Sequence, residues 1–194
     1  MALTSSNKLG PGLSSAERET LLTLATASIE KGLIGERLRI DSSEYSLQLR
    51  EPGASFVTIK VALELRGCIG SLDRKRVLAE DVVCNAYSAA FSDPRFSPLT
   101  ATEFNQLNVH ISVLGRPEPI VFTSEGDLVR QLRPGIDGVI LEQGTYRATY
   151  LPSVWESLPD PHEFLCQLKG KAGLASDSWS DEIKVQRYTI ESIP

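Results

Sequence analysis

The spacing of apolar and polar positions changes several times along the chain, and each change predicts an element. "SSAERETLLTLATASIEKGL" has helical spacing, with Leu21, Leu24, Ala25, Ser28 and Ile29 on one face. Ser14 and Glu17 stand at capping-box spacing, and Gly32 reads as the C-terminal stop. "FVTIKV" then alternates, placing Val57, Ile59 and Val61 together, and "LELRGCI" is a second short extended segment. The two read as a hairpin, although "VALE" between them lacks the Asn-Gly or Asp-Gly that a two-residue turn prefers. "VLAEDVVCNAYSAAF" is apolar around most of a helical circumference. It predicts a buried helix over 77–91 with Cys84 in the core.

Further along, Thr100 and Glu103 match another capping box and open a short helix. "LNVHISVL" is a strand with Val109, Ile111 and Val113 on one face and His110, Ser112 and Leu114 on the other. "SEGDLVRQL" reads as a short helix, "RPGIDG" as turn chemistry, and "VILEQGTYRATYL" as a hairpin turning at Gly144. Asp160 and Pro161 start a helix, and "EIKVQRYTI" is a last strand. Residues 33–50 show no clear period. Hairpins and helices without regular βαβ alternation predict an α+β fold. Residues 1–13, polar and bearing Gly and Pro, read as a loose N-terminal arm ahead of a single domain over 14–194.

Composition narrows the function classes. The chain has 194 residues, 41% hydrophobic and 23% charged, with net charge −5. An acidic balance argues against nucleic acid as a partner, which requires a basic footprint. "DRKR" at 73–76 is read as a solvated helix entry. The N-terminus lacks the basic and apolar regions of a secretory signal, and no apolar run is long enough to span a membrane. The 3 cysteines and 2 histidines show no metal-ligand spacing. Free thiols and a cytoplasmic location are expected, with no metal, no cofactor and no membrane partner.

The candidate chemistry centres on "LRGCIG". In an extended segment Arg66, Cys68 and Gly70 share one face, with Arg66 and Cys68 roughly 6 to 7 Å apart. A guanidinium there favours a thiolate, and Gly70 leaves the face beside Cys68 open. The alternative is that Cys68 is a small core residue and the glycines serve tight packing. "DPRF" either presents Arg95 and Phe96 to a ligand or is an Asp93–Arg95 loop clamp with Phe96 in the core. His110 is a candidate base for Cys68, and Glu142 a candidate carboxylate at a strand end. A dinucleotide fingerprint, a phosphate-binding loop and a nucleophile elbow are all absent.

Together, "FVTIK…LRGCIGSL", "AAFSDPRFSPLT", "ISVLGRPEPI" and "LRPGIDGVILEQGTYRATYLPSVWESLPDPHEFL" resemble the AMMECR domain family, also called AmmeMemoRadiSam system protein A. The resemblance runs from about residue 17 to residue 190. One departure is Ala62-Leu63, where bacterial members of the family often carry Asp-Gly. The resemblance implies a larger lobe with an antiparallel sheet and flanking helices, a smaller α+β lobe, and a cleft between them. It implies that Arg66, Gly67, Cys68, Ile69 and Gly70 form the signature and Asp93, Arg95 and Phe96 a second motif. It also implies a Memo-like protein and a radical-SAM protein as pathway partners. Two function classes stand: an enzyme or enzyme subunit using the Cys68 thiol, or a non-catalytic module binding a small molecule, a peptide or a protein.

Overall fold

A computed structural model describes residues 12–194. The chain divides into two units: the first runs to Leu114 and takes in Glu191–Pro194, and the second is Gly115–Ile190. The fold is α+β. Residues 1–11 of the expected N-terminal arm lie outside the described residues. Leu13 is buried, and its amide donates to Glu191 Oε2 at 3.1 Å.

The first unit opens with α1 (Ser15–Leu33), started by the Ser14–Glu17 capping box. Gly32 is not its stop. The helix continues past it, and Gly35, with φ of 77°, makes the left-handed turn. A Cβ on Gly32 would stand 2.1 Å from the Phe91 ring, so that glycine serves close packing. The residues without a clear period hold a 3₁₀ turn at Ser42–Glu44 and the single-turn helix α2 (Leu47–Arg50). Then come β1 (Pro52–Gly53), β2 (Ser55–Val61), β3 (Glu64–Gly70), β4 (Arg76–Val77), α3 (Leu78–Phe91), α4 (Ala101–Phe104) and β5 (Leu107–Leu114).

The main sheet of this unit has the order β10-β5-β2-β3, with β10 at Ile190–Ile193, so β3 is an outer strand. β2 pairs antiparallel with both β3 and β5. Its alternation is the predicted one: Val57 and Ile59 are fully buried, while Phe56 and Thr58 are half-buried and Lys60 is exposed. Val57, Ile59 and Ile111 pack against α1 and α3, each side chain contributing about 1.5–3 kcal/mol through burial. The β2–β3 hairpin closes on two residues after all. Ala62 and Leu63 both adopt left-handed backbone, with φ of 50° and 71°, where glycine or asparagine is normally used.

In the second unit β6 (Glu118–Pro119), α5 (Glu125–Gln131), β7 (Gly138–Gln143), β8 (Tyr146–Tyr150), α6 (Pro161–Ala172) and β9 (Lys184–Tyr188) follow in chain order. The sheet order is β6-β9-β7-β8. The expected single C-terminal strand is two, β9 and β10, which belong to different sheets. Phe164 of α6 stacks on Trp155 with ring centroids 3.7 Å apart and planes within 4°, at the centre of this unit's core. Lys169 of α6 is buried with Nζ 2.8 Å from Glu125 Oε1 and 3.0 Å from the Ser178 carbonyl, which satisfies its charge.

Among the described residues no helix is long and apolar enough to cross a membrane.

Candidate functional site

The hexapeptide lies on β3, and the register decides where each of its side chains goes. Phe56 pairs with Gly70, Thr58 with Cys68 and Ile59 with Gly67; the register then shifts, and Lys60 pairs with Leu65. That shift is a bulge at Arg66, which re-aims its side chain. Arg66 Nε donates to Glu103 Oε1 at 2.6 Å and Nη1 to the Ser97 carbonyl at 2.8 Å. The guanidinium anticipated beside the thiol is therefore bound to α4 and the loop before it. This ion pair, together with the Thr100 bonds to the same carboxylate, pulls the Glu103 pKa down to about 2.

Both glycines are explained by packing. A Cβ on Gly67 would stand 2.0 Å from the Ala89 carbonyl oxygen, so Gly67 is what lets α3 lie against the strand. A Cβ on Gly70 would stand 2.3 Å from the Phe56 ring. The face beside Cys68, expected to be open at Gly70, is covered there by Phe56. Ile69 is half-buried and packs against the core of the first unit.

Cys68 is held by its backbone. Its amide donates to Asp93 Oδ2 at 2.8 Å, and its carbonyl accepts from Arg95 Nη2 at 3.3 Å. Asp93 and Arg95 pair with each other at 2.7 Å, and Asp93 also accepts from the Arg95 amide at 3.1 Å. The loop clamp expected of "DPRF" exists, and it reaches a second element. Arg95's hydrogen bonds are the main reason that the Asp93 carboxyl lies well below the usual range, with the Cys68 amide adding to it. Phe96 is not in the core. It is half-buried, with the Arg66 and Arg95 guanidinium carbons 5.8 and 5.4 Å from its ring centroid.

The side chain of Cys68 is half-buried on the polar face of the sheet. Its Sγ lies 3.2 Å from Thr58 Oγ1. Thr58 pairs on its other side with His110 of β5, so Cys68, Thr58 and His110 form one row across three strands. Strands are spaced about 4.7–4.9 Å apart, which puts Cys68 and His110 about 10 Å apart at the backbone. Thr58 stands between them, and the expected direct thiol–imidazole pair gives way to a thiol–hydroxyl pair with the imidazole next in line. Burial, with the charge of Lys60 as a lesser cause, lowers the His110 pKa and so favours the neutral ring. A neutral imidazole is able to accept a proton.

Thr58 was missed in the reading of the sequence. The signal was there: alternation in "FVTIKV" sets it on the face opposite Val57 and Ile59, and only the cross-strand register was needed to place it beside Cys68. Glu142 belongs to β7 of the second unit and pairs with Arg147 at 2.6 Å. Cys84, expected in the core, is half-buried and lines a surface pocket. Among the described residues no group of three or more His, Cys, Asp or Glu side chains stands close enough to hold a metal ion.

The AMMECR1 family model matches residues 22–193. A protein of Thermofilum pendens is 36% identical over 195 residues, which cover 92% of this chain and 90% of that protein. One of Methanothermobacter thermautotrophicus is 37% identical over 186 residues, covering 92% and 94%. The crystal structure of an uncharacterised protein from Pyrococcus horikoshii superposes with a TM-score of 0.81 at 35% identity, over 90% of this chain and 89% of that one.

Proposed function

The chain belongs to the AMMECR1 family, and from that premise we propose that the row Cys68–Thr58–His110 is a thiol-dependent reaction site, making the protein an enzyme or enzyme subunit. The observation that carries this reading is the 3.2 Å contact between Cys68 Sγ and Thr58 Oγ1, with His110 beside Thr58 in the same row. Cys68 sulfur attacks an electrophilic centre of the substrate, and its proton passes through the Thr58 hydroxyl to His110. The leaving group takes that proton back, and the transferred group stays on sulfur until a second acceptor removes it. Asp93 and Arg95 are positioning residues, because they fix the Cys68 backbone, and Arg66 fixes the loop that carries them. The family resemblance adds a Memo-like protein and a radical-SAM protein as pathway partners, with a small molecule or peptide as ligand. The three free thiols favour a reducing, cytoplasmic setting.

One observation favours the second reading, a non-catalytic binding module. Arg66, Gly67, Ile69 and Gly70 all serve packing or loop attachment, and both arginines already hold carboxylates. Alkylation separates the two. In a chain with Cys84→Ser and Cys166→Ser, the reaction site predicts that iodoacetamide modifies Cys68 at pH 7 about tenfold faster than it modifies glutathione. Thr58→Val and His110→Gln should each slow it at least about threefold. A rate equal to that of glutathione, or no reaction in the folded protein, leaves the binding module as the better account.

A further inference from the structure

Away from the Cys68 face, the segment before α2 passes over the outer side of α3 and leaves a pocket of about 360 Å³ between them. Leu38, Arg39 and Ile40 line one wall. Arg76, Glu80, Val83 and Cys84 line the other, the last three at helical spacing on one side of α3. The size falls in the lower part of the roughly 300–1,000 Å³ range of small-molecule sites. Its lining mixes Leu38, Ile40, Val83 and Cys84 with three charged residues, Arg39, Arg76 and Glu80.

The charges around it are unevenly satisfied. Arg37, two residues before Arg39, lies over the Tyr87 ring at 3.8 Å. Arg39 makes no ion pair, hydrogen bond or ring contact among the described residues. Arg76 is 3.6 Å from Asp81 Oδ1, a loose pair, and half exposed. Asp81 itself is buried and already accepts from the Ser55 amide and hydroxyl, the Ser71 hydroxyl and the Asn85 amide group. Its hold on Arg76 is thus shared among several donors. Glu80 is the acidic group of the lining and disfavours a dianionic head such as a phosphate monoester. A single carboxylate carries less charge for Glu80 to repel; Arg39 and Arg76 are the cations of the lining, and Leu38, Ile40 and Val83 its apolar residues.

We infer that this pocket is a second ligand site, for a small monocarboxylate with an apolar body. It shares no residue with the Cys68 row, so each reading stands or falls alone. Cys84 supplies the reporter. In a chain with Cys68→Ser and Cys166→Ser, octanoate should slow alkylation of Cys84 by iodoacetamide in a saturable way. Octanamide, with the same body and no charge, should need about three to ten times the concentration for equal protection. Arg39→Gln, a change at an exposed side chain, should shrink that difference. Equal protection by octanoate and octanamide in the parent chain, or protection by neither, overturns the inference. If Cys84 proves too shielded to alkylate, amide chemical shifts decide the matter. Octanoate must move the signals of residues 38–40 and 76–84 and leave the rest, and an unchanged or uniformly changed spectrum overturns the inference equally.

Discussion

Two loops of this protein use the same pair of residue types for different ends. Asp93 and Arg95 stand in the first unit, Arg133 and Asp137 in the second, and in each a buried aspartate faces a partly exposed arginine. Asp137 keeps its side-chain bonds at home: Oδ2 accepts from the Arg133 amide at 3.0 Å and Oδ1 from Arg133 Nε at 2.9 Å. Only its backbone carbonyl reaches out, accepting from Trp155 Nε1 at 2.7 Å. Asp93 instead turns Oδ2 to the Cys68 amide on another element. The first arrangement fixes the shape of a loop and seats it on a core tryptophan. The second transfers the rigidity of a loop to the strand residue whose side chain is the candidate nucleophile. An Arg–Asp pair is thus no guide to function by itself; where its spare lone pair points is the informative part.

The comparison breaks first at the buried carboxylates. Asp137→Ala strands the Arg133 amide and guanidinium and should cost about 3 kcal/mol in urea unfolding followed by tryptophan fluorescence. The Cys68 alkylation rate should not change. Asp93→Ala should cost about 2 kcal/mol. Here the telling readout is hydrogen exchange at the Cys68 amide, which should lose its protection while the amide of Ile59 keeps it. Protection retained at Cys68 would mean that the clamp does not govern the strand.

Acid titration sharpens the contrast less strongly. Asp93 and Glu103 both have folded-state pKa values below their unfolded ones. Their stabilisation is therefore complete above about pH 4.5, and it fades as pH falls toward the folded values. Stability measured from pH 5 down to pH 2 should fall, and Glu103→Gln should flatten that fall by about 1 kcal/mol after allowance for screening at a partly exposed pair. An identical slope in parent and variant would remove the Arg66–Glu103 pair as a contributor. The smallest effect is a control in the same hairpin. Leu63→Gly relieves left-handed backbone and should stabilise by about 0.5–1 kcal/mol, with Cys68 alkylation unchanged. If it altered the thiol as much as Asp93→Ala does, the clamp would have no special hold on the site.

Much of this architecture was legible in the sequence because its signals are local. Both capping boxes, the alternation of β2 and β5, and the Asp160–Pro161 helix start depend on residues a few positions apart. What escaped depends on partners far along the chain. Gly67 is explained by Ala89, Gly70 by Phe56 and Gly32 by Phe91, and none of these neighbours is marked in the sequence. The bulge that turns Arg66 toward Glu103 leaves no trace in an alternating pattern. Register was hidden twice: Ala62 and Leu63 form a turn that their residue types disguise, and that turn alone would set Thr58 against Gly67, so the bulge is what brings Thr58 opposite Cys68. Alternation gives faces and not rows, so it sets Cys68 and His110 on one face without showing that Thr58 stands between them.

The position of β3 at the margin of its sheet gives the clamp one more consequence. An outer strand presents unpaired N–H and C=O groups, a template on which a second chain can add a strand and begin to aggregate. At Cys68 those two groups are taken by a carboxylate and a guanidinium, which stand where a neighbouring backbone's carbonyl and amide would be. Two side chains imitate a strand without offering an edge of their own. Loss of the clamp would then show itself in the test tube as turbidity as well as in the chemistry of the thiol.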